Sequence, residues 1–211
     1  SGAMVVQDGL YRHVDLKRYA VSRPDSRIPA SQWIETGWRT LPRKRFDSRG
    51  IKDHPLNLQY AGPLDLFQTL MEQKGWRPAP MLEAANLLKL LSPRLELQQL
   101  PVLPQVHDGQ HETVTLEKPL PDGQRLVLRL WPAHILLTPG GEPLWIGQVS
   151  QQRQVQLLEL FTFAATSHQF ETAFQELVRD TEYFEFHRVT TDGRVLLLAS
   201  DAQNPSRAAG P

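Results

Sequence analysis

Thr113–Val149 reads TVTLEKPLPDGQRLVLRLWPAHILLTPGGEPLWIGQV, and this stretch decides the fold. Val114 and Leu116 alternate with Thr113, Thr115 and Glu117, the two-residue period of a strand with one face in a core. Leu126, Leu128 and Leu130 repeat that period after Pro121-Asp122-Gly123. There Pro presets φ for a turn and Gly supplies positive φ. Pro139-Gly140-Gly141 marks another turn before the strand Leu144–Val149. Consecutive strands joined by such short turns predict an antiparallel meander, because parallel neighbours need a long crossover.

Outward from this block the pattern turns helical. On the N-terminal side Leu56, Leu58 and Tyr60 alternate with Asn57 and Gln59 as one more strand. Gly62-Pro63 then opens a helix with the stripe Leu66, Phe67, Leu70 and Met71, closed by Gly75. A second helix follows Pro80, carries Ala85, Leu88 and Leu91, and stops at Pro93. A short helix with Trp33 and Ile34 is expected after a Ser31 cap, ended by Gly37. On the C-terminal side Phe170, Ala173, Phe174, Leu177 and Val178 follow the i, i+3, i+4, i+7, i+8 rule of an amphipathic helix near 168–181. Thr166 or Ser167 would cap it, and Thr166 with Gln169 would make a capping box. Residues 183–189 and 194–199 form a hairpin about Asp192-Gly193. The expected class is α+β: an antiparallel β-meander with three to four helices packed on it. Trp33, Trp38, Trp76 and Trp145 belong to its core or rim.

The 211 residues suit one main domain. Residues 1–30 read as an expression scar (Ser1-Gly2-Ala3-Met4) and a linker broken by Pro24 and Pro29. Residues 31–200 are the domain, and 201–211 a disordered tail. Lys plus Arg equals Asp plus Glu, at 23 each, so no global field steers the chain to nucleic acid or membrane, and any electrostatic partner must be read by a local patch. The absence of cysteine excludes disulfides, thiolate catalysis and cysteine-type zinc sites. No apolar run approaches the roughly 20 residues that span a bilayer, and no secretory signal is visible.

Short segments distributed along the chain resemble the LssY-type C-terminal domain. They are Pro55–Gly62 (PLNLQYAG), Gly75-Trp76-Arg77-Pro78, Leu100–Gln105 (LPVLPQ), His107-Asp108-Gly109, Arg129-Leu130-Trp131-Pro132 and Pro143–Gly147 (PLWIG). Their order and spacing cover roughly residues 31–190. Such domains end bacterial membrane proteins whose companions are DedA-type domains and type-2 phosphatidic-acid phosphatase domains. The resemblance implies an accessory module, binding or regulatory rather than catalytic, on the periplasmic side of the membrane or, as the alternative, the cytoplasmic side. Its partner would be the membrane-embedded domain of the same parent protein. It carries over no catalytic residues. Where related sequences have a Thr-His-x-Ile-Asp-like segment, this chain reads Ser167-His168-Gln169-Phe170-Glu171.

Three constellations could carry chemistry. His107, Asp108, His111 and Glu112 are the densest ligand-type cluster, and imidazole with carboxylate could serve a hydrolase or a divalent metal. Asp108-Gly109 favours a turn there, which leaves a plain polar loop as the other reading, and neither metal nor cofactor is expected. Arg129 and Trp131 share one strand face and could hold an anion beside an aromatic platform, or pair and pack internally, with Trp131 under the late helix. Arg39, Arg43, Lys44, Arg45, Arg49 and Lys52 concentrate positive charge against Asp47 alone. That run could meet anionic lipid headgroups or remain a solvated loop. Lys17 to Arg23-Pro24 has part of a phosphatase spacing without a following Pro-Ser-Gly-His, and His168 stands alone. A structural module for protein contacts is the remaining alternative.

Overall fold

A computed structural model describes residues 25–46, 52–79, 106–107, 110–157, 161–166 and 170–204. In chain order its strands are β1 (Ser26–Pro29), β2 (Lys44–Phe46), β3 (Lys52–Pro55), β4 (Leu58–Ala61), β5 (Arg77–Pro78), β6 (Val106–His107), β7 (Gln110–His111), β8 (Val114–Pro119), β9 (Arg125–Thr138), β10 (Glu142–Leu157), β11 (Phe161–Thr166), β12 (Phe186–Val189) and β13 (Val195–Leu198). The helices are α1 (Ala30–Glu35), α2 (Leu64–Glu72) and α3 (Phe170–Asp180). The helix expected after Pro80 and the capping residues Ser167 to Gln169 lie outside the described residues.

β9 and β10 form a long antiparallel ribbon whose two ends have different neighbours. Near the Pro139 turn, β10 pairs with β4 and β9 pairs with β1. Farther from it, β10 pairs with β11 and β9 with β8. The sheet order is β12-β13-β4-β10-β9-β8-β5, with β1 and β11 flanking the ribbon. The class is α+β, and the β8–β9–β10 meander and β12–β13 hairpin form as the turns dictate. The sheet as a whole is mixed, however: β13 lies parallel to β4 and β1 parallel to β9. Alternation assigns residues to faces, but it does not say which distant strand lies alongside.

Three further differences have local causes. Ser26–Pro29, within the stretch that reads as a linker, is a strand seated on β9. α1 has Pro29, not Ser31, at its N-cap position, and no side chain caps it. At the other end, Asp201–Gln203 forms a 3-10 turn, and the Gln203 amide binds Tyr183 O and Glu185 N, so the tail begins ordered.

One face of the sheet packs against α2 and α3. Leu66, Phe67, Leu70 and Met71 of α2 and Ala173 and Leu177 of α3 meet Leu58, Leu116, Leu126, Leu128 and Leu130. Glu171 and Gln175 stay exposed, as the helical stripe requires. The other face holds Trp33, Trp38, Leu137, Leu144 and Leu196 beneath α1, and beside them Leu56, Trp131 and Ile146. Trp131 is therefore on the face opposite α3, contrary to the expected packing under that helix. Gly147 lets the ribbon lie close to β4. A Cβ there would meet Leu130 Cδ2 at 2.7 Å, Leu58 Cδ2 at 2.9 Å and Arg129 O at 3.1 Å.

Leu177→Ala should destabilise the fold by about 2–5 kcal/mol in denaturant titration, because Leu177 is fully buried and its removal leaves a cavity. Gly147→Ala should cost about 1–3 kcal/mol through overpacking of the ribbon.

Candidate functional site

Charged residues are sorted between the interior and the surface in a way the sequence does not display. On the second face, Glu117 accepts from Arg125 Nη1 at 3.0 Å and from Arg77 Nε at 2.9 Å, while Arg125 Nε donates to Gln152 Oε1 at 2.9 Å. Arg129 lies 3.4 Å from Glu112 Oε1, and both side chains are about 1% exposed. Burial pulls the Arg129 guanidinium down to about 10, against the pull of Glu112, so it remains charged at neutral pH. Arg129 and Glu112, both candidates from the sequence, thus hold each other inside the sheet. Gln148 and Ser150 lie on the same face, fully buried, with side-chain polar atoms that make no hydrogen bond among the described residues.

The His107 loop is a minimal hairpin: His107 pairs with Gln110, and Val106 with His111. Asp108 lies outside the described residues. His107 is buried and stacks edge-on against Trp131 at 5.8 Å. Both line a small cavity of about 130 Å³ with Gln110, His134 and Ile146. His134 has φ of 56°, at a bulge where β9 slips register against β10 between Pro143 and Trp145. Its Nε2 is 3.0 Å from Gln110 Oε1, and its Nδ1 is 3.8 Å from Asp25 Oδ1. Among the described residues no three histidine or carboxylate side chains converge as metal ligands. Instead of a His–Asp–His–Glu cluster, the fold joins His107 to Trp131 and His134. His134 was missed because only the bulge brings it there.

The basic run also divides. Arg45 is 7% exposed and near enough to Arg129 to act on it as a like charge. A strand alternates sides, so Arg45 turns inward between its neighbours. It therefore does not belong to the surface patch that the run suggested. Arg49 lies outside the described residues, and Lys52 opens β3. Arg43 and Lys44 stay exposed and line an open groove of about 580 Å³ with Pro42, Leu56, Asp192 and Arg194. The sequence places Asp192 and Arg194 merely at a turn. The parallel pairing of β13 with β4 carries that turn to Arg43, 3.6 Å from Asp192 Oδ2. Arg39 and Arg188 extend the cationic surface by lying over Trp38, at 5.0 and 5.7 Å, and Arg194 approaches the same ring at 4.8 Å.

Arg194 anchors the groove. It donates to Asp192 through Nε and Nη2, at 3.2 and 2.8 Å, and through Nη1 to the carbonyls of Trp38 and Leu41. The Arg194 hydrogen bonds hold the Asp192 carboxyl below its ordinary value. A depressed carboxylate adds stability above its unfolded pKa and loses it as pH falls through the folded one.

Glu117→Gln should cost about 3–5 kcal/mol in denaturant titration, since it strips a buried guanidinium of its counter-ion. The stability gap between the wild-type chain and Asp192→Asn should be open at neutral pH and close only as pH falls below the ordinary carboxylate range, as thermal melts across acidic pH would show.

Neither the comparison with curated proteins nor that with solved structures returned a match. The family model described as the LssY C-terminus matches residues 38–191, which span β2 to β12 and all but one side of the groove. The chain belongs to the LssY C-terminus family.

Proposed function

We propose that this domain is a non-catalytic binding or regulatory module of a bacterial envelope membrane protein that handles lipid phosphates. The groove between Arg43, Lys44 and Arg194 would be where it meets an anionic headgroup. The observation that carries this reading is the segregation of charge. The buried arginines Arg125 and Arg129 face carboxylates inside the sheet, whereas Arg43 and Lys44 stand exposed at the mouth of an open groove. An exposed cation is free to exchange water for a ligand, while a buried pair is committed to structure. Family membership supports the setting, because domains of this type close proteins with DedA-type or type-2 phosphatidic-acid phosphatase companions. The partner would be that membrane-embedded part of the same parent, on the periplasmic side. Among the described residues no helix is long and apolar enough to cross a membrane.

The hydrolase reading retains one specific feature, the small cavity where His107 and His134 meet. Against it, Glu112, which that reading grouped with His107, lies 3.4 Å from Arg129. A pure protein-contact module is the third reading. It does not by itself call for an exposed cationic groove.

Vesicle co-sedimentation of the full chain tests the proposal. Binding should occur to vesicles carrying anionic lipid and not to neutral ones, and should weaken as salt rises. Arg43→Gln with Lys44→Gln should remove about 2 kcal/mol, or roughly thirtyfold in apparent affinity. Equal binding to both vesicle types would refute the headgroup reading. The same preparation should release no phosphate from phosphatidic acid. Turnover lost on replacing His107 would establish the hydrolase in its place.

A further inference from the structure

We infer that Asp192 is a built-in competitor for the anion of this groove, and that it tunes the site toward a phosphomonoester. The inference rests on the groove reading above and adds the residue that sets its selectivity. Asp192 Oδ2 receives Arg194 Nη2 at 2.8 Å and lies 3.6 Å from Arg43 Nε, while Thr190 donates to Oδ1 at 2.6 Å. Oδ2 therefore stands between two guanidinium groups, the place a phosphate oxygen would otherwise take. The two arginines are not equivalent. Arg194 has a side chain 4% exposed and is also tied to the carbonyls of Trp38 and Leu41, so it cannot follow a ligand outward. Arg43 is 65% exposed and held by Asp192 alone among the described carboxylates, so it can swing to an incoming anion.

Charge then decides which anion succeeds. The groove is lined by Arg43, Lys44 and Arg194 against the single carboxylate of Asp192, which leaves an excess of two positive charges. A phosphomonoester carries about −1.5 to −2 at neutral pH and matches that excess. A phosphodiester carries one charge and competes poorly with Asp192 for Arg43. Asp192 costs the site affinity for every anion, and most for the weaker ones.

The experiment uses the full chain and vesicles of phosphatidylcholine doped either with phosphatidic acid or with phosphatidylglycerol at matched surface charge. Free inorganic phosphate is added as a competitor, to tell a lipid-borne monoester from a soluble one. The wild-type chain should prefer the phosphatidic-acid vesicles. Asp192→Asn should bind both kinds about fivefold more tightly and narrow the preference, the effect expected when one surface charge is removed. Asp192→Ser removes the charge with a different side chain and should act alike. Thermal melts confirm that each variant is folded. In the wild-type chain, titrated with inorganic phosphate, the Arg43 Nε–Hε NMR signal should shift while that of Arg194 stays fixed. This readout needs no variant. Unchanged or weaker binding by both Asp192 variants, with Arg43→Gln/Lys44→Gln still losing affinity, overturns the role of Asp192 and leaves the groove standing. A shift of Arg194 with Arg43 still also overturns it. Absence of any anion response in the wild-type chain and all variants removes the groove reading as well.

Discussion

The β9–β10 ribbon depends on a constraint that is both steric and electrostatic: its second face buries charges that must meet their counter-ions. Arg125 and Arg129 lie two turns of the pleat apart on β9, and each faces a carboxylate held by the segment that leads into or forms β8. A slip of one residue between β8 and β9 would turn both guanidinium groups toward the apolar face that packs on α2 and α3, and turn Leu126, Leu128 and Leu130 away from it. Desolvating an unpaired arginine costs several kcal/mol, far more than a hydrophobic mismatch at the surface. The pairs thus add little net stability but rule out the wrong register. Gly147 adds a steric condition on the ribbon, because a Cβ there would crowd Leu130, Leu58 and the Arg129 carbonyl.

Everything downstream needs that register. With β10 fixed, β4 pairs through Leu144 to Gly147, and β13 takes its place beside β4. Val195 then stands level with Leu58, and the Asp192 turn reaches the segment just after Trp38. Gln59 completes the junction: its Oε1 accepts Trp33 Nε1 at 2.9 Å and its Nε2 donates to Trp38 O at 2.9 Å. A buried amide satisfied at both ends holds the N-terminal tryptophans against the sheet. The groove is accordingly a product of three separate stretches of chain, near residues 42–44, 55–56 and 192–194.

This history explains what could be read from the sequence. The helical stripes of α2 and α3, the Pro-Asp-Gly and Pro-Gly-Gly turns and the Asp192-Gly193 hairpin are local signals, and all take their expected form. Glu112 and Arg129 were visible as charges of opposite sign, but whether they would meet each other or a ligand depended on burial. Arg45 and Arg43 looked alike in a basic run, and only the pleat of β2 sent one inward. The outer half of β10 is not legible as a strand, because Ser150-Gln151-Gln152-Arg153-Gln154 lacks an alternating apolar face. Polar residues can form a central strand when the face they present is itself polar, as Gln148, Ser150 and Gln152 do opposite Arg129, Val127 and Arg125.

His134 shows the same limit at a smaller scale. Nothing in Trp131-Pro132-Ala133-His134 announces a left-handed residue, since that conformation is normally left to glycine or asparagine. Three residues of β9, Ala133 to Ile135, stand opposite Leu144 alone, so the strand must absorb surplus length within a few residues. The bulge lets β9 change partners, from β8 on one side of it to β1 on the other. The imidazole is then fixed between Gln110 and Asp25, which ties the β6–β7 hairpin and the N-terminal segment to the same point of the ribbon. The left-handed conformation at His134 serves the fold, because the strand beyond it pairs with β1 and carries Leu137 into the core it shares with Trp33. That position is a joint of the fold, and the exposed cations gather elsewhere, at the Asp192 turn.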